Sequence, residues 1–105
     1  MTWPKLPTTI HGLAGRITIL RPVQIKGEAD HLDRGTAADW DEWKRVIRVT
    51  GIADRRVAVH LLLHELTHAA LDDAGIALKD SDQEEAVCQS VASAMMHVAE
   101  WLLAE

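Results

Sequence analysis

The sequence contains no tyrosine or phenylalanine, and only four of its 105 residues are tryptophan. This composition excludes a core built on aromatic rings, so we expect the buried side chains to be aliphatic. A single cysteine, Cys88, excludes an internal disulfide and favours a reducing cytoplasm as the setting. No apolar run approaches the roughly 20 residues of a membrane-spanning helix, and the first residues do not resemble a signal peptide. We therefore expect no membrane partner.

Basic residues are also in the minority, with 11 Lys and Arg against 16 Asp and Glu and a net charge of −5. Without a basic stripe to meet phosphates, nucleic acid is not expected as a partner. The hydrophobic fraction of 48% and the charged fraction of 26% are typical of a globular protein. The length predicts one domain over residues 1–105. Prolines and glycines predict an irregular lead-in over residues 1–15.

Two stretches have the composition of β-strands. Residues 16–21 partly alternate between polar and apolar and are bounded by Gly15 and Pro22. Residues 45–50 are rich in β-branched side chains and are followed by a glycine, and we expect them to pair antiparallel with the first strand. The acidic stretch over residues 28–42 is typical of a surface loop, with a helical turn near residues 37–40.

Two helices follow. Asp54 is a good N-cap for a helix over residues 55–74, and Gly75 fits the left-handed residue that ends it. The stretch from Ser81 to Glu84 resembles a capping box that opens a second helix over residues 82–103. Because the connecting loop is short, the two helices should pack together, which gives an α+β fold of a short antiparallel sheet followed by two helices. One side of the second helix is aliphatic and is expected to face the core rather than a dimer partner: Val87, Val91, Met95, Val98 and Leu102.

The first helix contains the pattern His64-Glu65-Leu66-Thr67-His68 within a long apolar run. Residues four apart lie on one face of a helix, displaced by about 6 Å along its axis. Two imidazoles at that spacing can bind one zinc ion, and Glu65 falls beside them without being a ligand. We therefore predict that His64 and His68 bind Zn²⁺ and that Glu65 is the catalytic base.

A catalytic zinc site needs a third protein ligand and an open position for water. The second helix offers Glu85, Glu84 and Cys88. Glu84 has another explanation, since the capping box uses a glutamate three residues after Ser81. Cys88 fits a small buried residue better than a ligand. The helical face favours Glu85, with Glu84 as the alternative.

Three residues of the first helix are candidates for orienting the histidine ligands without binding the metal. His60 lies one turn before His64, and two carboxylates at the end of the helix, Asp72 and Asp73, follow about one turn after His68. Each also has a simpler interpretation, as a hydrogen-bonded histidine and as a solvent-exposed aspartate.

With its glutamate on the following helix, the motif resembles the gluzincin type of zincin metallopeptidase over roughly residues 44–98. Small prophage-associated and ImmA/IrrE-like peptidases, and other minimal gluzincins, are the nearest resemblances. The resemblance also favours Glu85 as the third ligand. Where the family often has Asp or Asn four residues after that glutamate, this chain has Gln89, a further candidate for orienting a histidine. Thr67 replaces a usual glycine.

The resemblance implies a zinc metallopeptidase whose substrate is a peptide or protein. It also implies that the strand over residues 45–50 lies at the sheet edge, where substrate would pair with it. Thermolysin-like enzymes use a tyrosine and a histidine to stabilise the oxyanion; this chain has no tyrosine, which leaves His60, His31 or an arginine for that role. The alternative is a non-catalytic protein-binding module on a zincin scaffold, and a third candidate is a toxin or antitoxin component. The oligomeric state does not follow from the sequence.

Overall fold

A computed structural model describes residues 5–20, 38–49 and 55–104. It has four short strands followed by two long helices, which confirms the predicted α+β class. The elements are β1 (Thr9–Gly12), β2 (Gly15–Leu20), β3 (Ala38–Asp41), β4 (Val46–Val49), α1 (Arg55–Asp73) and α2 (Ser81–Leu103).

The sheet has the strand order β1-β2-β4-β3 and is mixed. β1 pairs antiparallel with β2, and β3 pairs antiparallel with β4. The expected antiparallel pairing of the two central strands is wrong, because β2 and β4 are parallel. A short turn after Asp41 makes β3 the hairpin partner of β4. The longer connection from β2 lets β4 run in the same direction as β2.

Two strands were not expected from the sequence. β1 lies inside the predicted irregular lead-in, and β3 occupies residues for which a loop and a helical turn were predicted. β3 also displaces β4 from the sheet edge, so the prediction of β4 as an edge strand is wrong. The rest of the predicted acidic loop, residues 28–37, lies outside the described residues.

The core lies between one face of the sheet and α1. The inward positions of β2 and β4 alternate as expected, and Ile17, Ile19, Ile47 and Val49 are at most 2% exposed. Each such side chain contributes about 1.5–3 kcal/mol by leaving water. The rest of the cluster consists of small or aliphatic residues, which confirms the expected aliphatic core: Ala38, Ala58, Leu62 and Ala69.

The first helix lies between the sheet and α2, and α2 contacts no described strand. α1 ends at Asp73, close to the predicted end, and Gly75 has the expected positive φ of 70°. The predicted N-cap, Asp54, lies outside the described residues. Neither helix is long and apolar enough to cross a membrane.

The start of α2 differs from the prediction by one residue. Asp80, not Ser81, is the N-cap, and its Oδ1 accepts a hydrogen bond of 2.6 Å from the Gln83 backbone. The Gln83 side chain in turn accepts from the backbone of Lys79 at 3.1 Å. Asp80 and Gln83 therefore take the positions predicted for Ser81 and Glu84, although Gln83 accepts from Lys79 and not from the N-cap residue itself. Glu84 therefore does not cap α2 through its side chain, which instead contacts His68 of α1.

The aliphatic side of α2 does not face the core. Val91, Met95, Val98 and Leu102 are between 40% and 57% exposed, so that prediction is wrong. α2 instead buries Cys88, Ala92 and Met96. Small side chains at two of these positions let the helices approach closely, which brings the acidic first turns of α2 next to α1.

Candidate functional site

His64 and His68 lie side by side on the face of α1 that meets α2. Their side chains are 13% and 14% exposed, and their ring centroids are 5.1 Å apart. Ligand atoms of His64, Glu65 and His68 lie within 4.8 Å of one another. The helical spacing therefore brings the three residues of the motif together, as predicted.

The Glu85 carboxylate contacts both imidazoles. Its Oε2 lies 2.9 Å from His64 Nε2, and its Oε1 lies 2.6 Å from His68 Nε2. Two imidazole nitrogens and one carboxylate are donor types that zinc accepts, so these three side chains could hold a metal ion beside the open cleft. Of the two glutamates left open by the sequence, Glu85 is the one that contacts the Nε2 atoms of both rings.

Glu84 and Gln89 contact the opposite side of each ring. Glu84 Oε2 lies 2.8 Å from His68 Nδ1, and Gln89 Oε1 lies 3.2 Å from His64 Nδ1. Such acceptors fix the tautomer and ring orientation of metal-binding histidines. Glu84 and Gln89 therefore stand where orienting residues are needed.

This arrangement favours a positive charge between the rings and Glu85. Each imidazole meets an oxygen at both nitrogens, whereas a neutral imidazole carries only one N–H. A second proton or a metal ion would satisfy the remaining nitrogen. Burial disfavours the charged form of His68, but the hydrogen bond to Glu84 and the charges of Glu65 and Glu85 outweigh it, so the pKa of His68 is raised.

The Glu65 carboxyl group is only 9% exposed. No described residue donates a hydrogen bond to it. Burial is the main cause of a raised pKa of Glu65, opposed by the nearby His68 and His64. A carboxylate held in this way is a better proton acceptor at neutral pH than an exposed one.

An open cleft of about 440 Å³ lies between the edge strand β3 and the two helices. Sequence reasoning missed the contribution of β3, although Ala38-Asp39-Trp40-Asp41 alternates between small or apolar and acidic residues in the manner of a half-buried strand. The residues that line the cleft are Ala38, Asp39, Trp40, Glu42, Glu65, His68, Asp72, Glu84 and Glu85.

Two other predicted residues, Asp72 and His60, make contacts away from the histidine pair. Asp72 accepts a hydrogen bond of 2.7 Å from Trp40 Nε1, so its bonding partner is an indole rather than a histidine. His60 lines a separate cavity of about 280 Å³ between the helices, beside Arg56 and His97. His31 lies outside the described residues.

Cys88 is fully buried, in agreement with its interpretation as a small packing residue. Burial, with the nearby charges of Glu84 and Glu85, raises the pKa of its thiol to about 11. The thiol is therefore protonated at neutral pH, and the neutral thiol is a poor metal ligand.

Comparison with protein-family profiles, with curated proteins and with solved structures finds no match to this chain. The resemblance to gluzincins thus stays a prediction based on the motif.

Proposed function

We propose that this protein is a small zinc-dependent metallopeptidase, with His64, His68 and Glu85 as the metal ligands. The observation that supports it best is the position of the Glu85 carboxylate against the Nε2 atoms of both histidines. Glu84 and Gln89 would orient the two rings through their Nδ1 atoms. The lone and buried Cys88 is compatible with a reducing cytoplasm as the setting.

A zinc ion at this position would lower the pKa of a water molecule and polarise the scissile carbonyl. Glu65 would accept the proton of the attacking water and transfer it to the leaving amine. Its burial and raised pKa suit both roles, because the group must take up and release a proton near neutral pH.

The edge strand β3 would bind the substrate. β3 has no partner among the described strands on its outer side, it adjoins the cleft that contains Glu65 and His68, and an extended peptide could pair with its backbone. This assigns to β3 the role that the sequence-based prediction gave to β4.

The test compares the wild-type protein with Glu65→Gln, using zinc content and hydrolysis of a mixed peptide pool. We expect zinc binding in both proteins, and about a 10²- to 10⁴-fold slower hydrolysis in the variant, since it lacks the base. The control is Asp82→Asn, which removes one negative charge, as Glu65→Gln does, but at an exposed residue that does not line the cleft. Equal rates for wild type and Glu65→Gln would show that Glu65 is not the base.

The second candidate is a protein-binding module that keeps the zincin scaffold without catalysis. The absence of tyrosine favours it, together with the position of His60 in a different cavity, because neither a tyrosine nor His60 is then placed to stabilise the oxyanion. Peptide hydrolysis that a chelator abolishes would exclude this candidate. Zinc binding without any hydrolysis would exclude the peptidase instead.

A further inference from the structure

The cleft beside the histidine pair is strongly acidic. Of the nine described residues that line it, six are carboxylic acids and none is lysine or arginine. A concave surface of one charge sign focuses the electrostatic field and attracts groups of the opposite sign. The net charge of −5 acts in the same direction.

Most of these carboxylates already have partners or roles. Asp39 forms an ion pair with Arg48, and Glu84 and Glu85 contact the histidines. Two differ. Glu42, just after β3, has no hydrogen bond or ion pair to any described residue, and Asp72 uses only its Oδ2 to accept from Trp40.

Glu42 and Asp72 both line the cleft together with Trp40, whose Nε1 donates a hydrogen bond to Asp72. The indole already holds one cationic side chain, since the Arg45 guanidinium lies 5.6 Å from its ring centroid. An indole of this kind can contact the aliphatic part of a long side chain, and the two carboxylates offer acceptors for its charged end. Lysine and arginine combine these two properties, whereas glutamine has the length without the charge.

We propose that the cleft selects peptides with a lysine or arginine near the bond placed at Glu65, and that Glu42 and Asp72 determine this specificity. The inference rests on the proposed peptidase function, since it assumes that a peptide occupies the cleft. It adds a substrate class that the zinc-binding motif does not specify.

Binding can be measured separately from hydrolysis with the Glu65→Gln protein loaded with zinc. The probes are short fluorescein-labelled peptides of alanine and leucine, with lysine, glutamine or glutamate placed in turn at each central position. Fluorescence anisotropy gives the affinities. We expect the best lysine peptide to bind roughly five- to tenfold more tightly than its glutamine counterpart at low salt, and the ratio to fall as salt increases.

Adding Glu42→Gln and Asp72→Asn should reduce that ratio to about twofold or less, since both changes remove charge, and Asn keeps an acceptor for Trp40. Adding Asp82→Asn instead should leave the ratio unchanged. Equal binding of lysine and glutamine peptides, or a preference that survives the double substitution, would overturn the inference.

The outcomes separate this inference from the proposed function. Hydrolysis by the wild-type protein without preference for basic peptides would refute the specificity and leave the peptidase intact. Tighter binding of basic peptides without hydrolysis would refute the peptidase and support the cationic preference of the cleft.

Discussion

Arg45 is the one non-glycine residue with positive φ in the part of the chain that the structure describes, at 55°. The preceding turn is held by Asp41, whose side chain accepts from the backbone N–H groups of Trp43 and Lys44 at 3.0 Å. Arg45, in the left-handed conformation, follows this turn and directly precedes β4. Glycine would adopt this conformation with less strain, so the side chain of Arg45 must contribute enough contacts to offset it.

Those contacts join the sheet to the end of α1. The Arg45 guanidinium binds both oxygens of Asp73 at 2.7 and 2.9 Å, and it donates to the carbonyl of Gly15. The N–H of Ala14 also donates to Asp73. Gly12 is needed here because a Cβ at this position would lie 2.8 Å from Asp73 Oδ2. This junction fixes the last turn of α1, including the neighbouring Asp72 in the cleft.

The Arg45–Asp73 pair predicts a specific acid dependence of stability. The hydrogen bonds from Arg45 lower the pKa of Asp73 below its ordinary value of 3.8. Because the folded-state pKa is the lower one, the stabilisation is fully present above pH 3.8 and is lost as the pH falls toward the folded-state pKa.

Asp73→Asn should therefore lower the free energy of unfolding by about 2 kcal/mol near neutral pH, the scale of hydrogen bonds to a charged group, and flatten its decline below pH 4. Urea unfolding of wild type and variant at a series of pH values measures both effects. Asp82→Asn is the matched control. An unchanged acid slope in Asp73→Asn would contradict the assignment.

At the scale of elements, α2 shows why hydrophobicity alone misplaced a helix face. Two stripes were available: one with the larger aliphatic residues, and one that contains Glu85, Cys88, Ala92 and Met96. The structure buries Cys88, Ala92 and Met96 of the second stripe and leaves Glu85 partly exposed. Among the described elements α2 packs only on α1, and its smaller side chains permit the close approach that the Glu85 contacts require. The larger aliphatic side chains consequently remain half-exposed.

This packing predicts opposite responses to substitution on the two faces of α2. Ala92→Leu should lower the free energy of unfolding by about 1–3 kcal/mol, since Ala92 is fully buried and a larger side chain must displace its neighbours. Met95→Lys should change it by less than about 0.5 kcal/mol. Urea unfolding compares them. A larger loss for Met95→Lys than for Ala92→Leu would contradict the observed orientation of the helix.

Patterns of neighbouring residues predicted the two helices and the proximity of the two histidines, whereas they did not predict which strands pair in the sheet. The His64–His68 spacing and the left-handed Gly75 depend on a few neighbouring residues, and the structure agrees with both. The strands β1 and β3 have only four residues each; β1 lies among prolines and glycines, and the short alternation of β3 lies in an acidic stretch that is typical of a loop. The parallel pairing of β2 and β4 arises because β3, which lies between them in the sequence, pairs antiparallel with β4 at the outer side of the sheet. No local sequence pattern specifies that arrangement.

At the scale of the whole molecule, the three layers run in the order sheet, α1 and α2. α1 is anchored to the sheet through the aliphatic core and the Arg45–Asp73 pair. α2 is attached to α1 by small buried side chains, the Arg56–Glu100 ion pair and the histidine–glutamate contacts. A metal ion shared by His64, His68 and Glu85 would therefore link the two helices and stabilise the attachment of α2 to α1.

Zinc should accordingly raise the thermal stability of the wild-type protein relative to the same protein in chelator. When free zinc is a hundred times the dissociation constant, the stabilisation is about 2.7 kcal/mol. Glu85→Ala should lose most of it, because the carboxylate that contacts both Nε2 atoms is removed. Glu84→Ala removes the same charge at the adjacent position and should lose only about half of the stabilisation, since a tenfold weaker affinity leaves about 1.4 kcal/mol. If Glu84→Ala abolishes the zinc effect and Glu85→Ala retains it, Glu84 is the third ligand and the assignment of the two glutamates must be reversed.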